Sequence, residues 1–234
     1  MNKKKLEQIF FPYHCPICDR ALLPGEEICE DCKSIPQIVA PPRCQKCGKH
    51  IENTDSVFCY DCLRTPRTYE RGFSLYEYSS VHDSVSTFKN LGRPEYGEYY
   101  GRQMGLYFCD ELAKIRAQAL IPIPLHPAKE KQRGYNQALI LARGVSEVTD
   151  IPVAEGILIR PDKTKVQKDL DRFGRQNNMK KAFHIAKNDV KLKTVVLVDD
   201  ITTTGSTILA ATEVLLDAGV ENVYFITLAA GRGY

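Results

Sequence analysis

The chain has 234 residues, 43% of them hydrophobic and 26% charged, with a formal net charge of +3. That length holds one ordinary α/β domain and a small extra module, and so modest a charge does not by itself announce a nucleic-acid partner. No apolar run reaches the roughly 18 residues of a membrane span, and the start, MNKKKLEQIFFPYHC, lacks the small-residue cleavage site of a signal peptide, so the expected location is cytoplasmic.

Eight of the nine cysteines form four C-x-x-C pairs, Cys15/Cys18, Cys29/Cys32, Cys44/Cys47 and Cys59/Cys62, with ten, eleven and eleven residues between pairs. HCPICDRALLPGEEICEDC aligns with RCQKCGKHIENTDSVFCYDC as an internal repeat. Four thiolates per copy suit the closed tetrahedral cage of a structural zinc ribbon, so two zinc ions are expected. Disulfides do not suit a reducing compartment, and four evenly spaced pairs have no oxidoreductase setting around them. Each repeat holds its own ion, or the outer and inner pairs cross; His14 and His50 flank the cysteines as spare ligands at best. Met1 to Glu70 contain ten Lys or Arg against ten Asp or Glu. Despite the cluster Arg43, Lys46 and Lys49, the module therefore reads as an interaction or stability element more than a nucleic-acid clamp. Residues 1–68 are assigned to it and 69–234 to the α/β domain.

Residues 63–70 read as a polar connector. Phe73 and Leu75 then alternate as in a strand, followed by a helix over Val81 to Leu91 entered through Ser79 or Ser80, and a second from about Glu95 to Arg116. Cys109, inside the second helix, is expected to be a small buried hydrophobe. Ala119 to Leu125 reads as a strand whose prolines turn the chain away at the carboxyl edge of the sheet, at His126-Pro127. Lys129, Lys131 and Arg133 precede Gly134-Tyr135-Asn136-Gln137, which opens a helix to about Val148; basic residues beside a helix start favour an anion. After a strand near Ile157 to Arg160, a long polar segment reads as a functional lid. Asn222 to Ala229 closes the pattern as a buried strand.

The centre of the pattern is TVVLVDDITTTGST, Thr194 to Thr207. Val195 to Val198 predict a strand buried on both faces, as in a parallel sheet flanked by helices, and the acidic pair Asp199-Asp200 falls at its carboxyl end, where such sheets bind ligands. Thr202, Thr203, Thr204, Gly205, Ser206 and Thr207 form a turn into a helix carrying Ile208, Ala211 and Leu215 on one face. Backbone N–H groups at that helix start suit a phosphate, whereas the carboxylates suit ribose hydroxyls or a magnesium ion.

This stretch resembles the phosphoribosyl pyrophosphate (PRPP) loop of type I phosphoribosyltransferases. The resemblance implies that fold, a parallel twisted sheet flanked by helices. It also implies that Asp199 and Asp200 hold the ribose hydroxyls, that the Thr202–Thr207 loop cradles the 5-phosphate, and that the first-strand loop Pro124-Leu125-His126 holds pyrophosphate. The four-cysteine repeats, PIPLHP, RGYNQ, the spaced Thr164, Gln167, Leu170, Arg172, Arg175, Asn178 and Phe183, and LVDDITTTGST together resemble the ComF family of competence proteins over essentially the whole chain. Phe173-Gly174 departs from that pattern. By this resemblance Arg133, Gly134, Arg172 and Arg175 join the pyrophosphate and lid set, magnesium accompanies PRPP, and the setting is DNA uptake. Single-stranded DNA and uptake-machinery proteins are the further partners it implies. The expected chemistry is displacement of pyrophosphate at C1 of PRPP by an acceptor that the sequence does not identify; the alternative is a catalytically silent fold that binds single-stranded DNA or a partner.

Overall fold

The computed structural model describes residues 12–53, 55–161, 182–186 and 191–231. The expected lid residues Thr164, Gln167, Leu170, Arg172, Arg175 and Asn178, with Phe173-Gly174, lie outside these. In chain order the strands are β1 (Gly72–Glu77), β2 (Ala119–Pro122), β3 (Leu158–Ile159), β4 (His184–Ile185), β5 (Thr194–Thr202) and β6 (Asn222–Ala230). The helices are α1 (Tyr60–Arg64), α2 (Tyr78–Asn90), α3 (Pro94–Lys114), α4 (Pro127–Arg133), α5 (Gln137–Thr149) and α6 (Ser206–Asp217). A parallel sheet has the order β1-β6-β5-β2, while β3 and β4 form a separate antiparallel pair.

The apolar run of β5 explains its central place. Val196 and Val198 pack with Met104 and Phe108 of α3 and Leu141 and Val145 of α5. Val195 and Leu197 pack on the other side with Ile208, Ala211 and Leu215 of α6. Burying each such side chain contributes about 1.5–3 kcal/mol, so the strand that carries the acidic pair is anchored from both faces. Alternation along the strand then sends Asp199 towards the α6 side and Asp200 towards the α2–α3 side. Helices α3 and α5 meet at glycines: a Cβ on Gly144 would lie 2.7 Å from the Gly101 Cα.

The two cysteine repeats share one local fold. His14 bridges Ala21 as Arg43 bridges His50, and the Cys15 N–H donates to the Arg20 carbonyl (2.8 Å) as the Cys44 N–H does to the Lys49 carbonyl (2.7 Å). Their surroundings differ. The first repeat docks on α3, where the Tyr96 hydroxyl donates to Asp19 (2.6 Å) and Arg102 pairs with Glu27. The second sits on the opposite side of the sheet, its Cys44, Cys47 and Cys59 sharing a core with Tyr69, Phe225 and Ile208. The inter-repeat linker runs along β1, with the Val39 N–H donating to Leu75 O (2.9 Å) and the Glu77 N–H to Gln37 O (2.8 Å).

Two expectations need correction. Cys109 is exposed rather than buried, because it follows Phe108 and so lies off the stripe formed by Tyr100, Met104, Phe108 and Leu112. The strand expected to reach Leu125 ends at Pro122, although the Ile123 N–H still donates to Val198 O (3.0 Å), and the basic stretch after it is a short helix, α4.

Candidate functional site

Because β2 and β5 are parallel neighbours with Pro122 opposite Val198, the Pro124-Leu125-His126 turn and the Asp199-Asp200 pair leave the sheet at the same carboxyl edge. All three turn residues are half-buried. The His126 side chain accepts from the Ala128 N–H (3.3 Å) and caps α4. Asn136 caps α5 by accepting from the Ala138 N–H (3.0 Å), and its amide donates to Ile123 O (3.1 Å), tying that helix to the end of β2. Arg133 donates to Gln137, and Gly134 ends α4.

The two aspartates have different surroundings. Asp199 is 8% exposed and its Oδ1 accepts from the Asp200 N–H (2.9 Å). Burial, reinforced by the Asp200 charge and opposed by Lys89 and Arg160, pushes its pKa up to about 8. Asp200 is 4% exposed, and its Oδ1 pairs with Lys89 Nζ at 3.0 Å. Lys89 comes from α2, which the Phe88–Tyr135 ring stack and the Tyr135 hydroxyl bond to Phe88 O tie to the Gly134–Gln137 segment. Sequence reasoning missed Lys89: nothing in the amphipathic pattern of α2 distinguishes a lysine that reaches the acidic pair from one facing water.

The Thr202–Thr207 loop is built at the join of β5 and α6. Gly205 takes a left-handed conformation (φ 74°) that L side chains rarely adopt, and no side chain caps α6 there. Thr204 Oγ1 and Ser206 Oγ lie 2.8 Å apart. Among the described residues, Asp200 Oδ2 and Thr202 Oγ1 are buried without hydrogen-bond partners. Such orphaned groups are costly. Both belong to the end of β5 that runs on into α6, at whose start the Ser206 N–H donates to Thr204 Oγ1 (3.4 Å) and the N–H groups that follow suit an anion. The other side of the loop is held by residues that sequence reasoning did not place in the site. Lys49 Nζ donates to Thr203 O, Arg67 Nη2 donates to Thr204 O (2.8 Å), and a Cβ on Gly205 would lie 3.8 Å from the Tyr69 hydroxyl. On the same sheet edge, a cavity of about 580 Å³ is lined by Tyr78, Ser80, His82, Ala230 and Gly231. Gly231 donates to Thr202 O (3.0 Å), so the cavity adjoins the loop.

The cysteines gather by repeat. Cys15, Cys18, Cys29 and Cys32 form one group and Cys44, Cys47, Cys59 and Cys62 another, with ligand atoms within 4.8 Å of one another. The Cys18–Cys29 and Cys47–Cys59 sulfur separations of 3.7 and 3.5 Å fit the edge of a zinc–thiolate tetrahedron, about 3.8 Å for a Zn–S bond of about 2.3 Å, and are far from a disulfide. The crossed pairing is not adopted. His14 instead contacts Arg93 (3.1 Å), and His50 contacts Ala40 O (3.0 Å). Among the described residues no helix is long and apolar enough to cross a membrane.

Comparison with known proteins matches residues 6–63 to the double zinc ribbon domain and 136–234 to the phosphoribosyl transferase domain. Competence protein F of Haemophilus influenzae is 31% identical over 94% of this chain and 98% of its own. Competence protein ComFC of Bacillus subtilis is 26% identical over 88% and 89%, and the DNA utilization protein YhgH of Escherichia coli K12 is 24% identical over 89% and 86%. A purine phosphoribosyltransferase from Pyrococcus horikoshii covers 56% of this chain and 74% of its own at 20% identity, with a TM-score of 0.36 too low to carry a conclusion. The fold is thus a phosphoribosyltransferase α/β domain behind an N-terminal double zinc ribbon with two four-cysteine sites for structural zinc. With both domains in this order and a relative matched along nearly its whole length, the chain belongs to the ComF family.

Proposed function

We propose that the crevice at the carboxyl edge of β5 binds PRPP with magnesium, and that the protein acts in the uptake and handling of DNA during natural transformation. The observation that carries the first half is the pair of buried, unpartnered oxygens on Asp200 and Thr202 at the end of β5, the strand that leads directly into the start of α6, where no side chain caps at Gly205. A ribose 5-phosphate satisfies both kinds of group. Its hydroxyls donate to carboxylate oxygens, and its phosphate accepts from the N–H groups and hydroxyls of Thr203 to Thr207. Pro124, Leu125, His126, Arg133 and Gly134 would face the pyrophosphate, and the resemblance adds Arg172 and Arg175. Magnesium, when bound with PRPP, neutralises charge on the leaving pyrophosphate. Lys89 holds Asp200 in its present pose and would yield to a ribose hydroxyl or stay as a counter-ion. The cavity beside Gly231 is the proposed seat of an acceptor in phosphoribosyl transfer.

The names of the relatives, competence and DNA utilization proteins, support the second half. A groove lined by Arg43, Arg71, Phe73, Tyr107 and Lys114, with Asp110 and Glu111 also in its wall, favours a second reading, in which a catalytically silent fold binds single-stranded DNA by pairing cations with aromatic faces. Titration calorimetry with magnesium and PRPP on wild type and Asp200→Asn tests the first reading: the expected result is binding weakened at least about tenfold in the variant. Equal affinities would refute the site. Pyrophosphate release in the presence of candidate acceptors tests turnover, and titration with single-stranded DNA tests the second reading.

A further inference from the structure

The two cysteine repeats contain the same ion pair. In the first, Arg20, five residues after Cys15, pairs with Asp31, two after Cys29, at 3.3 Å, with side chains 65% and 74% exposed. In the second, Lys49 and Asp61 occupy the matching positions, five after Cys44 and two after Cys59, at 3.0 Å, but the Lys49 side chain is 3% exposed. The difference is what Lys49 touches. Its ammonium also donates to Thr203 O, across 154 residues of chain, and Arg67 of the connector donates to Thr204 O across 137. A buried ammonium is tolerated only when its donors are taken up, so the second copy's pair is committed to the loop as well as to its own repeat.

We propose that Lys49 and Arg67 are positioning residues of the phosphoribosyl site, and that the second zinc ribbon, unlike the first, sets its affinity for a phosphomonoester. Successive carbonyls of the loop are gripped from behind. In a planar trans peptide the N–H points opposite the C=O, so fixing the Thr203 and Thr204 carbonyls also fixes the N–H groups of Thr204 and Gly205. Gly205 lies within this grip, its Cβ position 3.7 Å from Arg67 Nη1, and its left-handed φ of 74° is one that L side chains rarely adopt. The first repeat does no such work: its ion pair faces water, and its contacts are with α3.

This inference rests on the PRPP reading. The test uses the full-length zinc-loaded chain and isothermal titration with ribose 5-phosphate, and separately with magnesium pyrophosphate, on wild type, Lys49→Met, Arg67→Met and the rescue variants Lys49→Arg and Arg67→Lys. Zinc content and melting temperature are read on each protein. Arg20→Met is the control in the first repeat. The expected result is a loss of ribose 5-phosphate affinity of at least about tenfold in either Met variant, recovery in the conservative variants, and no change with pyrophosphate or in Arg20→Met. Unchanged ribose 5-phosphate binding in both Met variants overturns the proposal while leaving the PRPP reading in place. Equal loss of both ligands, or loss in Arg20→Met, reduces the contacts to general stability and also overturns it. Failure of wild type to bind ribose 5-phosphate removes the underlying reading and the inference with it. Should Lys49→Met fail to fold, Arg67→Met, on the partly exposed connector, decides alone.

Discussion

The raised pKa of Asp199 gives a stability experiment whose sign is fixed by linkage. The carboxyl titrates near its ordinary value of 3.8 in the unfolded chain and at about 8 when folded, because burial and then the Asp200 charge disfavour its anion. Between these values the native state holds a proton that the unfolded state has released. Stability must therefore fall as pH rises, by about 1.4 kcal/mol per pH unit, and level off above the folded pKa. Asp199→Asn keeps the shape, and its Oδ1 can still accept from the Asp200 N–H, but the titration is gone. Below about pH 6, protons compete with zinc for the thiolates, so the useful window runs from about pH 6 to 9. Urea unfolding of both proteins at fixed free zinc cancels the metal's own pH dependence. The variant should gain on wild type by about 2–3 kcal/mol from pH 6 to 8, and by only about 0.4 kcal/mol more by pH 9. A difference that stays flat would mean that Asp199 is already ionised at pH 6, and the reasoning fails. The same proton bears on ligand binding: a carboxylate is the better acceptor for ribose hydroxyls, so PRPP affinity should rise with pH until about 8.

Gly144→Ala sets helix propensity against packing. Alanine is favoured in a helix by about 1 kcal/mol, but its Cβ would lie 2.7–2.9 Å from the Gly101 and Arg102 backbone. Thermal melting should show net destabilisation, and a stabilised variant would mean that α3 and α5 can part freely. Metal analysis of reduced protein should return zinc at both four-cysteine groups, and chelation should lower the melting temperature, because such small modules draw folding energy from the metal. Zinc-free protein with an unchanged melt would contradict the cage geometry.

What the sequence made legible was local. A run of four apolar residues, an acidic pair and a hydroxyl-glycine turn are neighbours in the chain, so β5, Asp199-Asp200 and the start of α6 could be read directly. The zinc ligands were legible for the same reason, although only the folded repeats distinguish separate from crossed pairing. The environment of the acidic pair was not legible. Adjacent aspartates look equivalent in a string, yet strand alternation gives one a backbone N–H and the other Lys89. In the sequence Lys49 reads only as one of a basic cluster with Arg43 and Lys46, and Arg67 as part of a polar connector, because their partners are carbonyls more than a hundred residues away. Carbonyls carry no mark in a sequence. Cys109 could have been placed correctly by the i, i+4 spacing of Tyr100, Met104, Phe108 and Leu112, which leaves its position outside the stripe.

The linker along β1 bears on the order in which the chain assembles. The inner neighbour of β1 is β6, which follows it in the chain only after every other strand and helix of the sheet domain among the described residues. Until β6 is made, the hydrogen-bonding groups of β1 have the Gln37–Val39 segment as their nearest partner, contributed by a module already synthesised. Zinc capture would then give the growing chain a finished edge on which the sheet can be laid, and a chain that emerged without metal would offer β1 with both edges open to strands of other molecules. On this account, metal supply during synthesis governs how much protein reaches the native sheet, and a truncation that starts after the ribbons should be judged first by its tendency to aggregate.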